Sequence, residues 1–115
     1  MSTHKDLEVW KRSMNLVVDV YDCLKLIPNE ERYTLGSQVK RSAISVPSNI
    51  AEGAGRKGKV EFLRFLDIAQ GSLSELETQL ILVQRLKFGD TVQLVDKDIV
   101  IIRKMIYKLK LSLNK

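Results

Sequence analysis

The chain has 115 residues, 44% of them apolar, with six glycines and two prolines, which fits one globular domain and excludes disordered and fibrous classes. Its net charge is +5, and residues 97–115 carry six basic side chains (Lys97, Arg103, Lys104, Lys108, Lys110, Lys115) against one acid, Asp98. The first 96 residues hold 13 of each sign, so the whole excess falls in the last 19. That placement suggests a polyanionic partner, a solvated helix face being the alternative.

Apolar residues recur at helical spacing almost throughout, and no segment alternates with period two, so an all-α fold is expected. The first helix, expected over 5–27, has two adjacent seams: Leu7, Trp10, Met14, Val17, Tyr21, Leu24, and beside it Val9, Ser13, Leu16, Val20, Cys23, Ile27. Pro28 ends it, because the residue before a proline is pushed out of the α region. The second helix, over 33–55, turns Leu35, Val39, Ala43, Val46 and Ile50 inward. Pro47 within it removes the hydrogen bond to the Ala43 carbonyl and crowds that carbonyl. The outcome is either a kink in a continuous helix or a break with Ser45 or Ser48 capping a new start. The inward pattern keeps its phase across Pro47, which favours the kink. Residues 53–59 read as the helix exit, with glycine available for a left-handed C-cap.

The third helix, over 59–87, is about 40 Å long and carries the seam Phe62, Leu66, Ala69, Leu73, Leu76, Leu80, Val83. A turn follows, in which Asp90 or Thr91 is placed to cap the fourth helix, over 91–113. Four amphipathic helices with short turns close most simply as an antiparallel up-down-up-down bundle, one domain over 1–115. On the fourth helix, Ile99, Ile102, Met105, Ile106, Leu109 and Leu113 form the core arc, and Val100, Tyr107 and Leu111 a second stripe on the far side. Helices one and four thus carry more apolar surface than one bundle needs, so self-association is expected, and closed homo-oligomers are the default form. Lys97, Lys104, Lys108 and Lys115 fall on one line, Arg103 and Lys110 on another, with the apolar stripe between. Such rows bind phosphate without reading sequence. Lysines that merely solubilise an oligomer surface are an equal alternative. Several copies of a weak patch would multiply its avidity.

Gly53, Gly55 and Gly58 make a literal G-x-G-x-x-G, but that fingerprint needs a strand feeding a turn that opens a helix. Here the glycines follow a helix and meet its negative end, so nucleotide binding is not expected. Arg56, Lys57 and Lys59 offset that dipole and are candidates for outside contact with phosphates, or a solvated turn. Arg41, Asn49 and Glu52 flank Pro47 in a structural role: Asn49 to satisfy groups the proline releases, Glu52 to pair with Arg41 or a neighbouring helix. Catalysis lacks material. His4 stands alone, Cys23 lies on an apolar seam, and Glu75 and Glu77 have no histidine three residues on. A non-enzymatic protein with no cofactor and no metal is expected. No apolar run reaches the roughly 18 residues of a membrane span. The N-terminus is charged where an export leader is apolar, and one cysteine closes no internal disulfide, so a cytoplasmic location is expected.

At V-P-S-N-I-A-E-G (46–53), Arg56, and E-F-x-x-F-L-x-I-A-x-G-S-x-x-E-L-x-x-Q-L (61–80), the sequence resembles the bacterial proteins encoded in intervening sequences of large-subunit ribosomal RNA genes. The likeness runs from about Leu7 to Leu111. It implies a four-helix bundle assembling into a ring, a pentamer being favoured. The fold it implies is similar to accessory proteins of diversity-generating retroelements, basic rings that bind nucleic acid and a reverse transcriptase. It brings no catalytic residues. Pro47, Ser48, Asn49, Glu52, Gly53, Gly71, Ser72 and Glu75 match its signature, whose implied role is architectural, with Gly71-Ser72 fitting a close helix approach. The function expected is an oligomeric accessory protein binding RNA or DNA with low sequence specificity. The alternative is a protein-interaction scaffold.

Overall fold

The computed structural model describes residues 3–115. Thr3 opens a short 3-10 turn, His4–Asp6, through a reciprocal cap: its hydroxyl accepts from the Lys5 amide at 3.2 Å, and its own amide donates to Asp6 at 2.9 Å. Four α-helices follow: α1 (Glu8–Cys23), α2 (Leu35–Ala54), α3 (Lys59–Arg85) and α4 (Ile99–Leu113). No strand occurs among the described residues.

The first helix is shorter at both ends than the 5–27 its periodicity suggests. It stops at Cys23, and turns carry the chain on to Pro28. A second 3-10 turn, Asn29–Glu31, lies before α2. The chain leaves the helix early where the α3–α4 turn packs against it. A Cβ on Gly89 would lie 2.9 Å from the Cys23 carbonyl oxygen, and the Cys23 thiol donates to the Asp90 carbonyl at 3.4 Å.

α2 is continuous through a buried Pro47. Gly55 closes it without a left-handed residue (φ −85°), and the left-handed glycine is Gly58 (φ 89°), at the N-cap of α3. α3 ends differently. Lys87 takes the left-handed conformation (φ 63°) usually given to glycine, and the Phe88 amide reaches back to the Val83 carbonyl at 3.0 Å. Asp90 then accepts from the Val92 amide at 3.2 Å, while Thr91 is buried and tied to α3 through Leu80 and Gln84. One π turn, Leu94–Asp98, leads into α4.

Neighbouring helices run antiparallel, since their paired residues count in opposite directions. Ser42 meets Glu75 and Ser45 meets Ser72 between α2 and α3. Arg103 meets Glu77 and Lys110 meets Asp67 between α4 and α3. Lys40 lies over Tyr21 between α2 and α1, and Thr3–Lys5 share a cavity with Ala54 and Gly55. The body extends 45 Å along its longest axis and 23 by 21 Å across. One end therefore holds the N-terminal turn, the α2–α3 turn and the C-terminus.

The core is built from all four helices. Leu16 and Val20, Val39 and Ile50, Leu66, Leu73, Leu76 and Leu80, and Ile99, Ile102 and Ile106 are fully or almost fully buried. Each such side chain contributes about 1.5–3 kcal/mol of transfer free energy. On α4 the buried arc narrows to the three isoleucines, with Met105, Leu109 and Leu113 half-buried at its margin. On α1 the Val9–Ser13–Leu16–Val20 seam faces the core, and Ser13 satisfies its hydroxyl on the Val9 carbonyl at 2.7 Å. The Trp10–Met14–Val17–Tyr21 seam is left half in water, with Met14 43% and Tyr21 40% exposed.

Candidate nucleic-acid interface

The two basic lines of the fourth helix separate into different roles. Arg103 turns to α3, where its guanidinium donates to both Glu77 oxygens at 3.1 and 3.5 Å and to the Ser74 hydroxyl at 3.5 Å. Lys110 pairs with Asp67 and donates to Gln70 at 3.1 Å. These two cations, expected to meet a polyanion, instead dock α4 on α3. Lys104, Lys108 and Lys115 are exposed and form no ion pair among the described residues. Lys97 is equally exposed, but it lies within the π turn, so the α-helical spacing that aligns it with Lys104 does not hold there. Between the lines, Tyr107 and Leu111 are 59% and 50% exposed, while Val100 is half-buried.

The α2–α3 turn brings a second set of cations. Arg56 is taken up by Glu52 at 3.1 Å and lies over the Phe65 ring, 5.2 Å from its centroid. Lys57 and Lys59 are exposed and form no ion pair among the described residues. The third glycine of G-x-G-x-x-G is the N-cap of α3, which begins at Lys59 as its periodicity suggests. The helical segment before it still replaces the strand the dinucleotide fingerprint requires.

The motif around Pro47 is a clasp between α2 and α3. Asn49 donates through one amide nitrogen to the Ser45 carbonyl at 2.8 Å and the Ser45 hydroxyl at 2.9 Å, and that hydroxyl meets Ser72 at 2.7 Å. Asn49 therefore serves Ser45 and not the Ala43 carbonyl that Pro47 frees. Ser42 donates to Glu75 at 2.9 Å. Glu52 pairs with Arg56, so Arg41 is left exposed with no ion pair among the described residues. The close approach belongs to Gly53, where a Cβ would sit 2.7 Å from Phe65 Cβ and 3.0 Å from the Phe62 ring. Gly71 is no such site: it is exposed, and a Cβ there meets nothing within 4 Å.

Sequence reading assigns surplus apolar surface to helix one but does not locate the groove between α1 and α2 where part of it lies. Trp10, Met14, Val17, Ile44, Pro47 and Ala51 line a cavity of about 400 Å³. The signal was present in the Trp–Met–Tyr composition of the first seam, side chains that tolerate partial hydration better than the Val–Leu–Val seam beside it.

The single histidine and the single cysteine each have a specific environment. His4 stacks edge-on against Trp10, with ring centroids 5.1 Å apart. Burial, with Asp90 adding to it, pushes the Cys23 thiol above its ordinary range and away from the nucleophilic thiolate. No group of three metal-ligating side chains gathers among the described residues. Exposed cations on a helix face and at a bundle end thus stand beside exposed apolar side chains on a four-helix protein. The chain belongs to the 23S rRNA-intervening sequence protein family, whose model matches residues 5–108. A comparison with curated proteins gives no match.

Proposed function

We propose that the chain is a non-enzymatic, oligomeric protein that holds RNA or DNA by its phosphate backbone with little regard for sequence. The observation that carries this reading is the exposed, unpaired set Lys97, Lys104 and Lys108 beside the Tyr107–Leu111 stripe. Lysines are compact, strongly hydrated charges, suited to phosphate diesters and not to base edges. A family named for an intervening sequence of 23S rRNA agrees with such a role.

Two different apolar surfaces support assembly. α1 touches α2 and α4, as does α3, so the helices form a square. The α1–α2 groove lies on one side, and the Tyr107–Leu111 stripe flanks the α4 line that faces α3, on another. Two unlike patches on one subunit fit a head-to-tail contact, which closes into a ring when the rotation permits. A pentameric ring is the form we favour, in a bacterial cytoplasm.

The reading is tested by fluorescence anisotropy of labelled RNA against the whole chain over a range of salt. Affinity falls steeply as salt rises. Changing Lys97, Lys104 and Lys108 to glutamine weakens binding and flattens that dependence by about 0.7–0.9 for each phosphate that is no longer neutralised. Unchanged affinity and slope would remove this face from the account. A scaffold that binds only protein, a reverse transcriptase among the partners to consider, predicts no RNA binding even at low ionic strength.

A further inference from the structure

We infer that the nucleic-acid backbone is anchored on one end of the bundle, over Lys5, Lys57, Lys59 and Lys115. These lysines come from three separated parts of the sequence, so their grouping exists only in the fold. The inference rests on the nucleic-acid reading proposed for the chain and adds to it the place of strongest grip.

The antiparallel order divides the charge unevenly along the long axis. The half containing this end, residues 3–15, 47–71 and 106–115, holds ten basic and five acidic side chains, and the other half nine of each. The entire net +5 therefore belongs to one half of the molecule, though not to one stretch of chain. Its acids are also committed. Glu8 pairs with Lys11, Glu52 with Arg56, Glu61 with Arg64 and Asp67 with Lys110, while Asp6 accepts from the Thr3 amide. At the opposite end Glu30, Glu31 and Asp90 stand among Arg32, Arg85 and Lys87, and no excess remains.

Distance decides whether this asymmetry matters. At physiological salt, charges are screened over about 8 Å, far less than the 45 Å length of the body. A polyanion near one end does not sense the average charge of the molecule, only the local one. Lys57 and Lys59 bracket Gly58, where no atom stands within 4 Å of a Cβ position, so a phosphate strand meets open surface there. Lys5 lies on the N-terminal turn beside Ala54 and Gly55, and Lys115 ends the chain that α4 brings to this end. In a cyclic assembly with its bundles along the axis, every copy would present this end on the same rim, and one strand could cross several.

The test is the affinity of the whole chain for a fluorescein-labelled RNA duplex, and for the same sequence in DNA, across a salt series. Three variants of equal charge loss are compared, each checked for unchanged circular dichroism. One is Lys57→Gln with Lys59→Gln and Lys115→Gln. The second is the helix-four variant, Lys97→Gln with Lys104→Gln and Lys108→Gln. The third, Arg32→Gln with Arg85→Gln and Lys87→Gln, removes the same charge from the opposite end. The end variant should bind at least about tenfold more weakly at low salt and lose roughly two units of salt slope, more than the helix-four variant. The opposite-end variant should bind like the wild type. If the end variant binds like the wild type while the helix-four variant weakens, the anchor is wrong and the nucleic-acid reading survives. Equal weakening by all three, which reports net charge alone, also overturns the anchor. A wild type that binds neither duplex at low salt overturns both.

Discussion

Gly53 and Gly71 lie 18 positions apart and respond oppositely to the same added methyl group. At Gly53 a Cβ would stand 2.7 Å from Phe65 Cβ, closer than packed carbons tolerate, with backbone holding both sides. Gly53→Ala therefore destabilises by about 1–3 kcal/mol as α2 and α3 are forced apart. At Gly71 nothing lies within 4 Å, so Gly71→Ala adds about 1 kcal/mol by removing backbone freedom from a helix interior. Urea unfolding monitored by circular dichroism measures both. Sequence reading assigns the close approach to Gly71, because a glycine beside a serine in mid-helix suggests a crossing point. Only the register between α2 and α3 shows that Gly71 faces away from α2 and Gly53 towards α3. Lys87 is a third such position. Lys87→Gly relieves a left-handed side chain and stabilises by roughly 1 kcal/mol. Cys23, whose thiol is held protonated, is alkylated several-fold more slowly at mildly alkaline pH in the folded chain than in urea. Because its folded pKa is raised, the stability it contributes is present below the ordinary thiol range and is lost as pH climbs through and above it.

Two helix pairs depend on polar joints as well as on the core. Between α2 and α3, Asn49, Ser45 and Ser72 form a chain of hydrogen bonds at 2.7–2.9 Å across a part-buried seam. A double-mutant cycle with Asn49→Ala and Ser72→Ala should give losses of about 1–2 kcal/mol each and a favourable coupling near 0.5–1 kcal/mol, since both act through Ser45. Strict additivity would mean that Ser45 does not link them. Between α3 and α4 the joints are ionic. Arg103 and Lys110 pair with acids 26 and 43 positions away, separations at which no helical spacing rule operates. The apolar seams made the helices and most of the buried face legible in the sequence, since period and phase survive translation into three dimensions. Which cations would be spent on neighbours was not legible, because that depends on which helix lies alongside. The same limit applied to α1, where two seams of similar strength competed. Packing buried the Val9–Val20 seam and left Trp10, Met14 and Val17 lining the groove.

For the molecule as a whole, neutralising Arg103 and Lys110 moves the emphasis from a cationic tail to a cationic end. The part of the candidate interface legible in the sequence was Lys104 and Lys108 on one line, together with Lys57 and Lys59 in their turn. The joining of that turn to Lys5 and Lys115 required the chain to double back three times. Exposed apolar side chains lie on separate faces, Met14 and Ile44 at the groove and Tyr107 and Leu111 on α4, and these are the surfaces on which the proposed assembly rests. Tyr107→Asp with Leu111→Asp should lower the mass found by light scattering without altering the helical spectrum. The central claim, that several copies together hold a polyanion, meets its most direct test in sedimentation velocity of dye-labelled RNA with the wild-type chain, followed at the dye's wavelength. At low salt the account predicts RNA sedimenting with several copies of a 13.1 kDa chain, and release as salt is raised. RNA that sediments alone at low salt, beside a chain of monomer mass, would contradict it.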